Sequence, residues 1–423
     1  MQTGSKDGAA NGGDRQTLIV DANGGSNFRT INRAVCAARS GARILVRPGI
    51  YRENIAITNP ISIIGDGDRD KIIIEGPEMY AIGFDALAGH IANLTLRKTG
   101  KTKKWYCLYI GGGSIFVENC DISSDDISAV MIKNGAIGRL ERNRIHDAPE
   151  AGVFVCDQGE AIIEENDVFG NGHSGILIGE KGSAVLRRNR IFQGKEFGVG
   201  VSDGGIALVE ENDIFENTYS NIMIRRGGTP TIRRNRIYGA QQSGVLFYDD
   251  GKGDVEDNEI FRNGNSGVSV TTGSSPTIRR NRIHENEGNG VSVRDDHYRL
   301  KGPDDTDGES PSGPRIELAS NPTVIENIIR ENGGGGFYVH DGALGSYEGN
   351  EILANTYSGV QITSGARPVF RNNRIANNKM SAVSIDPEGG GVFEGNDLRG
   401  NLEGSWEIED GDEARIERRG NTE

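Results

Sequence analysis

Five aspartates stand 46 residues apart in this chain: Asp157, Asp203, Asp249, Asp295 and Asp341. Reactive groups gather around the middle of the series. Arg225 and Arg226 precede Tyr248, Asp249 and Asp250; Thr271 and Thr272 follow; then come Asp295, Asp296 and His297. Carboxylates close enough to interact push their pKa values apart and can serve as general acid and general base. Asp249, Asp250, Asp295, Asp296 and His297 are therefore the candidate catalytic groups. Arg225, Arg226, Thr272 and Tyr248 are candidate ligand contacts, and Trp105, in the basic stretch RKTGKTKKWYC, is another. Carboxylate oxygens also suit hard cations, so Asp249 and Asp295 are candidate ligands for Ca²⁺ or Mg²⁺. A plainer use competes with all of these: DQG, DGG, DDG and DGA are turn sequences, in which Asp bonds its own backbone.

What positions these residues is a repeat. An Asn followed two residues later by an aliphatic recurs every 23 residues from Asn143 to Asn281 and again from Asn327 to Asn396. A fixed period of this length decides the fold before any local signal does. Bursts such as GVSV, GILI and GVQI alternate with period two, so they read as strands, and the Gly- and Asn-rich breaks between them as turns. About three short strands per 23 residues, stacked coil on coil about 4.8 Å apart, predict an all-β, right-handed parallel β-helix of about 13 coils. Columns such as Leu140, Ile163, Leu186 and Val209 are its core. The Asn column is expected to take the left-handed bend at a turn and to hydrogen-bond its counterparts above and below. A second Asn column runs five residues later, from Asn171 to Asn401.

Charge alternates over two coils. LRRNR and IRRNR stand between IEEND, VEEND and VEDNE, so stacking sets Arg187, Arg188 and Arg190 between acidic neighbours. Unlike charges on adjacent strands attract, which fixes register. Those arginines are thus structural, and the net charge of −14 argues further against a nucleic-acid polymer as partner. An aromatic column runs from Phe169 through Phe192, Phe215, Tyr238 and Phe261, with His146 and His284 at its ends. Facing outward it could stack a ligand; more commonly such a stripe packs against its own neighbours.

The open ends of a solenoid need covers. SNFRTINRAVCAARSG predicts a capping helix over 27–40, with Asn27 as N-cap and Gly41 as stop. Residues 1–16 are small and polar, a disordered or tag-like tail ahead of a single β-helix domain over 17–423. The charged segment 402–423 departs from the period, as a C-terminal cap would. Between Asn281 and Asn327 the interval doubles. The phase is kept across it, which predicts a real coil at 297–319 with a loop protruding at 302–314. Long loops on a regular scaffold are where function concentrates.

Several chemistries leave no trace: there is no Walker A sequence, no HExxH and no GxSxG. The four Cys have neither metal spacing nor a disulfide framework. With no signal peptide or membrane span in the sequence, a cytoplasmic protein and no membrane partner are expected.

FRTINRAV, followed by ILVRPGIYRENI and ISIIGDGD, resembles the start of pectin-lyase-like β-helix proteins. The run PTIRRNRIYGAQQSGVLFYDDGKGDVEDNEIF resembles the repeats of carbohydrate-binding and sugar-hydrolase (CASH) domains and of NosD-like proteins. It is most similar to the β-helix of F-box-only ubiquitin-ligase subunits, although no F-box precedes it here. The resemblance covers about residues 17–400 and implies the fold. Polygalacturonase motifs other than Asp-Asp are missing, and mannuronan epimerases use Asp-Pro-His, whereas this chain has Asp386-Pro387-Glu388. The sequence thus predicts a scaffold that binds a glycan, an extended peptide or a small-molecule ligand along one face. The alternatives are a polysaccharide-active enzyme using the Asp249/Asp295 edge, and a Mg²⁺-dependent nucleotide hydrolase with Arg225 and Arg226 on phosphates.

Overall fold

The computed structural model describes residues 15–102, 104–295, 319–409 and 413–423. Each coil contributes three short strands. Val153–Val155, Glu160–Glu164 and Asp167–Phe169 make up one coil, and all three pair in parallel with their equivalents in the next. Three sheets result, here called first, second and third in chain order. The third has fourteen strands. The first and second are joined near the N-terminus by Ile82–Ala92 and Leu108–Glu118, long strands that each run through both. The expected core columns point inward: Leu140, Ile163, Leu186, Val209, Ile232, Val255 and Ile278 are fully buried.

The Asn column forms a continuous ladder inside the turn between the second and third sheets. Each buried side chain donates to the next Asn and to a strand carbonyl, and accepts from the preceding Asn backbone; Asn235 donates to Asn258 Oδ1 (3.0 Å) and Val209 O (2.8 Å). The left-handed bend, however, falls on the residue before the Asn: Arg188, Glu211, Arg234 and Asp257 have φ of 52°, 57°, 53° and 56°. The Asn is thereby left free to turn its amide inward. The charged residues, by adopting the bend, aim outward at each other. Glu210 is the most enclosed node of that network, 3% exposed. It takes bonds from Arg187 (3.0 Å) and Arg233 (2.8 Å), and Arg234 also reaches it.

The doubled interval is resolved differently from expectation. Thr277 pairs with Thr323 and Val291 with Phe337, and the Asn281 backbone donates directly to Asn327 (2.9 Å). No rung stands between them. An insertion one period long preserves phase without adding a coil, so phase alone could not distinguish the two. The 302–314 loop itself lies outside the described residues, as do residues 1–14.

The N-terminal helix α1 is shorter than expected, Ile31–Ala37. Phe28 is held extended by a bridge to Val20, so Asn27 cannot cap it. The N-cap position is Thr30, and the cap itself comes from across the coil: Glu53 accepts from the N–H groups of Ile31 (2.8 Å) and Asn32 (2.9 Å). Ile31 and Ala34 close the first coil. At the other end the chain continues the stack. Trp406–Ile408 and Ile416–Arg419 pair on the preceding strands, and Asn421 extends the Asn ladder.

Candidate functional site

The Asp column lies at the turn between the first and second sheets. Asp157, Glu180, Asp203, Arg226, Asp249, Thr272, Asp341 and Ser364 all have φ between 46° and 54°. Turn chemistry therefore accounts for the spacing. Asp249 and Asp295 sit two rungs apart, on either side of Thr272, which is roughly 9.6 Å along the axis. Asp249 is tied to Arg226 (3.3 Å), which also reaches Asp203 (3.7 Å), while Asp250 pairs with Lys252 (3.1 Å). Thr272 bonds Thr271 (2.8 Å). Among the described residues, Arg226, Asp249, Asp250 and Thr272 thus bond to near neighbours along a ridge. Two carboxylates so separated do not share a cation. Among the described residues no group of three or more His, Cys, Asp or Glu could hold a metal ion. Asp296 and His297 lie outside the described residues.

Arg225 and Tyr248 belong elsewhere, on the outer face of the first sheet. There Phe197, Met223, Tyr248 and Leu246 pack into a small apolar cluster. The Arg225 guanidinium, 7% exposed as a residue, lies over the Tyr248 ring and donates to its hydroxyl (2.9 Å). Toward the N-terminus the same face carries Trp105, edge-on to Tyr80 (6.0 Å), with Tyr80, Tyr109 and Tyr106 stacked in turn. The Trp105 loop is anchored below by Asp126, which accepts from the Trp105 backbone (3.2 Å) and meets the buried Lys98 (3.7 Å). Burial pushes the Tyr106 phenol up to about 12, so it stays a neutral donor and acceptor.

Past the apolar cluster the face turns polar, and here the direct stacking of Asn281 on Asn327 matters. It sets Arg294 beside His340 and Ser292 beside Tyr338. By the same register Asp295 neighbours Asp341, although 46 residues separate them in sequence. His340 stacks on Tyr338 (4.2 Å between rings), and its Nδ1 donates to Asp341 (2.7 Å). Gln361 and Asp386 bond on the next rungs (3.0 Å). Burial, reinforced by Asp341 and Asp386, raises the Tyr338 pKa and keeps the phenol protonated. The result is a guanidinium, a carboxylate-oriented imidazole and a neutral phenol on two adjacent rungs, a set that can bind hydroxyl or carboxylate groups and relay protons. Sequence reasoning missed Arg294, Tyr338 and His340 because it separated them by a coil that is not there.

The family model described as right handed beta helix region matches residues 80–220, 197–302 and 310–421. The chain belongs to that family. Pectinesterase 1 of Citrus sinensis is 29% identical to this β-helix over 26% of its length and 24% of the relative's. Pectinesterase 3 of the same species is 28% identical over 25% and 21%. The matched stretch thus spans about a quarter of these relatives. Among solved structures, the A-module of Azotobacter vinelandii mannuronan C-5 epimerase AlgE6 aligns with 92% of each chain at 14% identity, TM-score 0.47. Carrot pectin methylesterase aligns with 67% of this chain and 85% of that one at 14% identity, TM-score 0.34.

Proposed function

We propose that this β-helix binds a carbohydrate chain along the outer face of its first sheet. The observation that carries the reading is the meeting of Arg294, Tyr338 and His340 at one end of a face whose other end carries Trp105 and three tyrosines. Tyr109 and Tyr338 are nine rungs apart on that face, about 43 Å, a length that suits a chain better than a small molecule. Aromatic surface covers the apolar faces of sugar rings, while a few placed polar groups orient their hydroxyls. The similarity to pectinesterases supports a carbohydrate ligand in general. The net charge of −14 favours a neutral or sparsely charged glycan over a polyanion.

A second reading, an enzyme acting on the bound glycan, is favoured by one observation: Asp341 fixes His340 as an oriented proton-transfer group beside a phenol kept neutral. Binding and turnover of a panel of neutral and acidic polysaccharides test both. Trp105→Ala should weaken binding by about fivefold, the worth of one aromatic contact near 1 kcal/mol. His340→Ala should remove turnover where turnover exists. If neither variant alters binding to any glycan that the protein retains, the face is not the site.

A further inference from the structure

The third sheet carries on its outer side a ladder of stacked rings. From His146 through Phe169, Phe192, Phe215, Tyr238 and Phe261 to His284, centroids are spaced 4.8–5.3 Å and the planes stay within 16° of parallel. The rings pack on each other, so most of the column is structural. Its N-terminal end is different. The residue aligned with His146 on the next rung is Ser123, and beyond it Arg97. One ring is missing from the ladder, with an imidazole on one side of the gap and a guanidinium on the other, two rungs or roughly 9.6 Å apart.

A cleft of about 290 Å³ opens beside this gap, lined by Asp70, Thr95, Arg97, Asp121, Arg144 and His146. His146 cannot swing away, because Asp121 (3.0 Å) and Asp147 (2.8 Å) hold its two nitrogens. Asp121, 6% exposed, is spent on His146 and on Arg144 (2.6 Å). Asp70 is an exposed carboxylate beside Arg69 (3.1 Å). Arg97 is exposed and makes no side-chain hydrogen bond or ion pair with any described residue. The gap therefore offers a fixed flat ring to stack on and an unspent planar fork, a shape that matches carboxylates two bonds at a time. It lies on a different sheet from the face assigned to glycan and does not depend on that assignment.

We propose that this cleft binds a small aromatic carboxylate, its ring stacking on His146 on the side of Ser123, and its carboxylate meeting Arg97 and Arg144. Benzoate is the probe, followed by calorimetry and by the NMR signals of the His146 ring. Phenol (ring without charge) and cyclohexanecarboxylate (charge without flat ring) separate the two contributions. Benzoate should bind and shift the His146 signals, with each control weaker by about fivefold, the worth of one stacking or cation–π contact. Arg97→Gln, at an exposed position, should weaken benzoate by a similar factor. Ser123→Phe, which supplies the missing ring covalently, should abolish binding and leave the melting temperature no lower. The proposal is overturned if benzoate leaves His146 unshifted, if cyclohexanecarboxylate binds as well as benzoate, or if Arg97→Gln binds as the parent does. Retained binding in a folded Ser123→Phe protein would also overturn it.

Discussion

Replacing Asn235 by Ala should cost far more than its size suggests. The side chain is 2% exposed as a residue and sits mid-ladder. It accepts from the Asn212 backbone (2.9 Å) and side chain (3.0 Å), and donates to Asn258 (3.0 Å) and Val209 O (2.8 Å). Alanine leaves the Asn212 N–H and the Val209 carbonyl without their partner, away from water. An unsatisfied buried group costs about 1–3 kcal/mol, so the loss should be about 3–5 kcal/mol. Asn421→Ala removes equivalent bonds at the ladder's partly exposed end, where water replaces them, and about 1 kcal/mol is expected. Asn235→Asp keeps the acceptor but faces a carboxylate toward two oxygens. Its folded-state pKa should rise, so stability lost at neutral pH should return as pH falls through that value. Urea unfolding of the three variants, with hydrogen exchange at the Asn212 amide, measures this. An Asn235→Ala protein within about 0.5 kcal/mol of its parent would refute the ladder as a source of stability.

Arg188→Glu places like charge beside Glu165 and Glu211, but Arg188 is half exposed at 3.3 Å and 4.0 Å from them. A loss of about 1 kcal/mol or less is expected, shrinking in high salt, and a melting temperature indifferent to salt would contradict it. Glu210→Gln, at the enclosed node met by three arginines, should cost more than Arg188→Glu in the same unfolding assay. Burial disfavours the His146 imidazolium, yet its bonds to Asp121 and Asp147 outweigh that and raise the pKa. Its stabilisation is therefore complete below the unfolded value of about 6.5 and lost as pH rises through the folded one, so His146→Gln should destabilise more at pH 5.5 than at pH 8.5. Asp249→Asn should alter glycan binding no more than Asp157→Asn with Asp203→Asn, since all three belong to the turn ridge; a selective loss for Asp249→Asn would return the site to that ridge.

The 23-residue period made the architecture readable, because stacking forces each core position to repeat; the columns through Leu140 and Ile145 are buried as the pattern required. The charge alternation was readable for the same reason. The site was not. Its residues meet only because Arg294 stacks on His340 across an insertion one period long. The signal that could have exposed it was present: Lys301 and Thr306 stand one period after Ile278 and Ile283, and no core column tolerates that pair. The Asp series has a plainer basis for its regularity, since Asp157, Asp203, Asp249 and Asp341 all take a left-handed turn. Arg225 and Tyr248 were named in the sequence as separate candidate ligand contacts; their pairing, guanidinium to phenol, appears only in the structure.

The most direct test of the glycan assignment is the affinity of the intact protein for neutral polysaccharides, measured beside Trp105→Ala and Tyr338→Ala. These positions lie at opposite ends of one face, so a chain spanning it should lose affinity in both variants, by about fivefold each, and a short oligosaccharide should feel only one. Unchanged affinity in both variants, or no binding by the parent to any carbohydrate tested, would contradict the account.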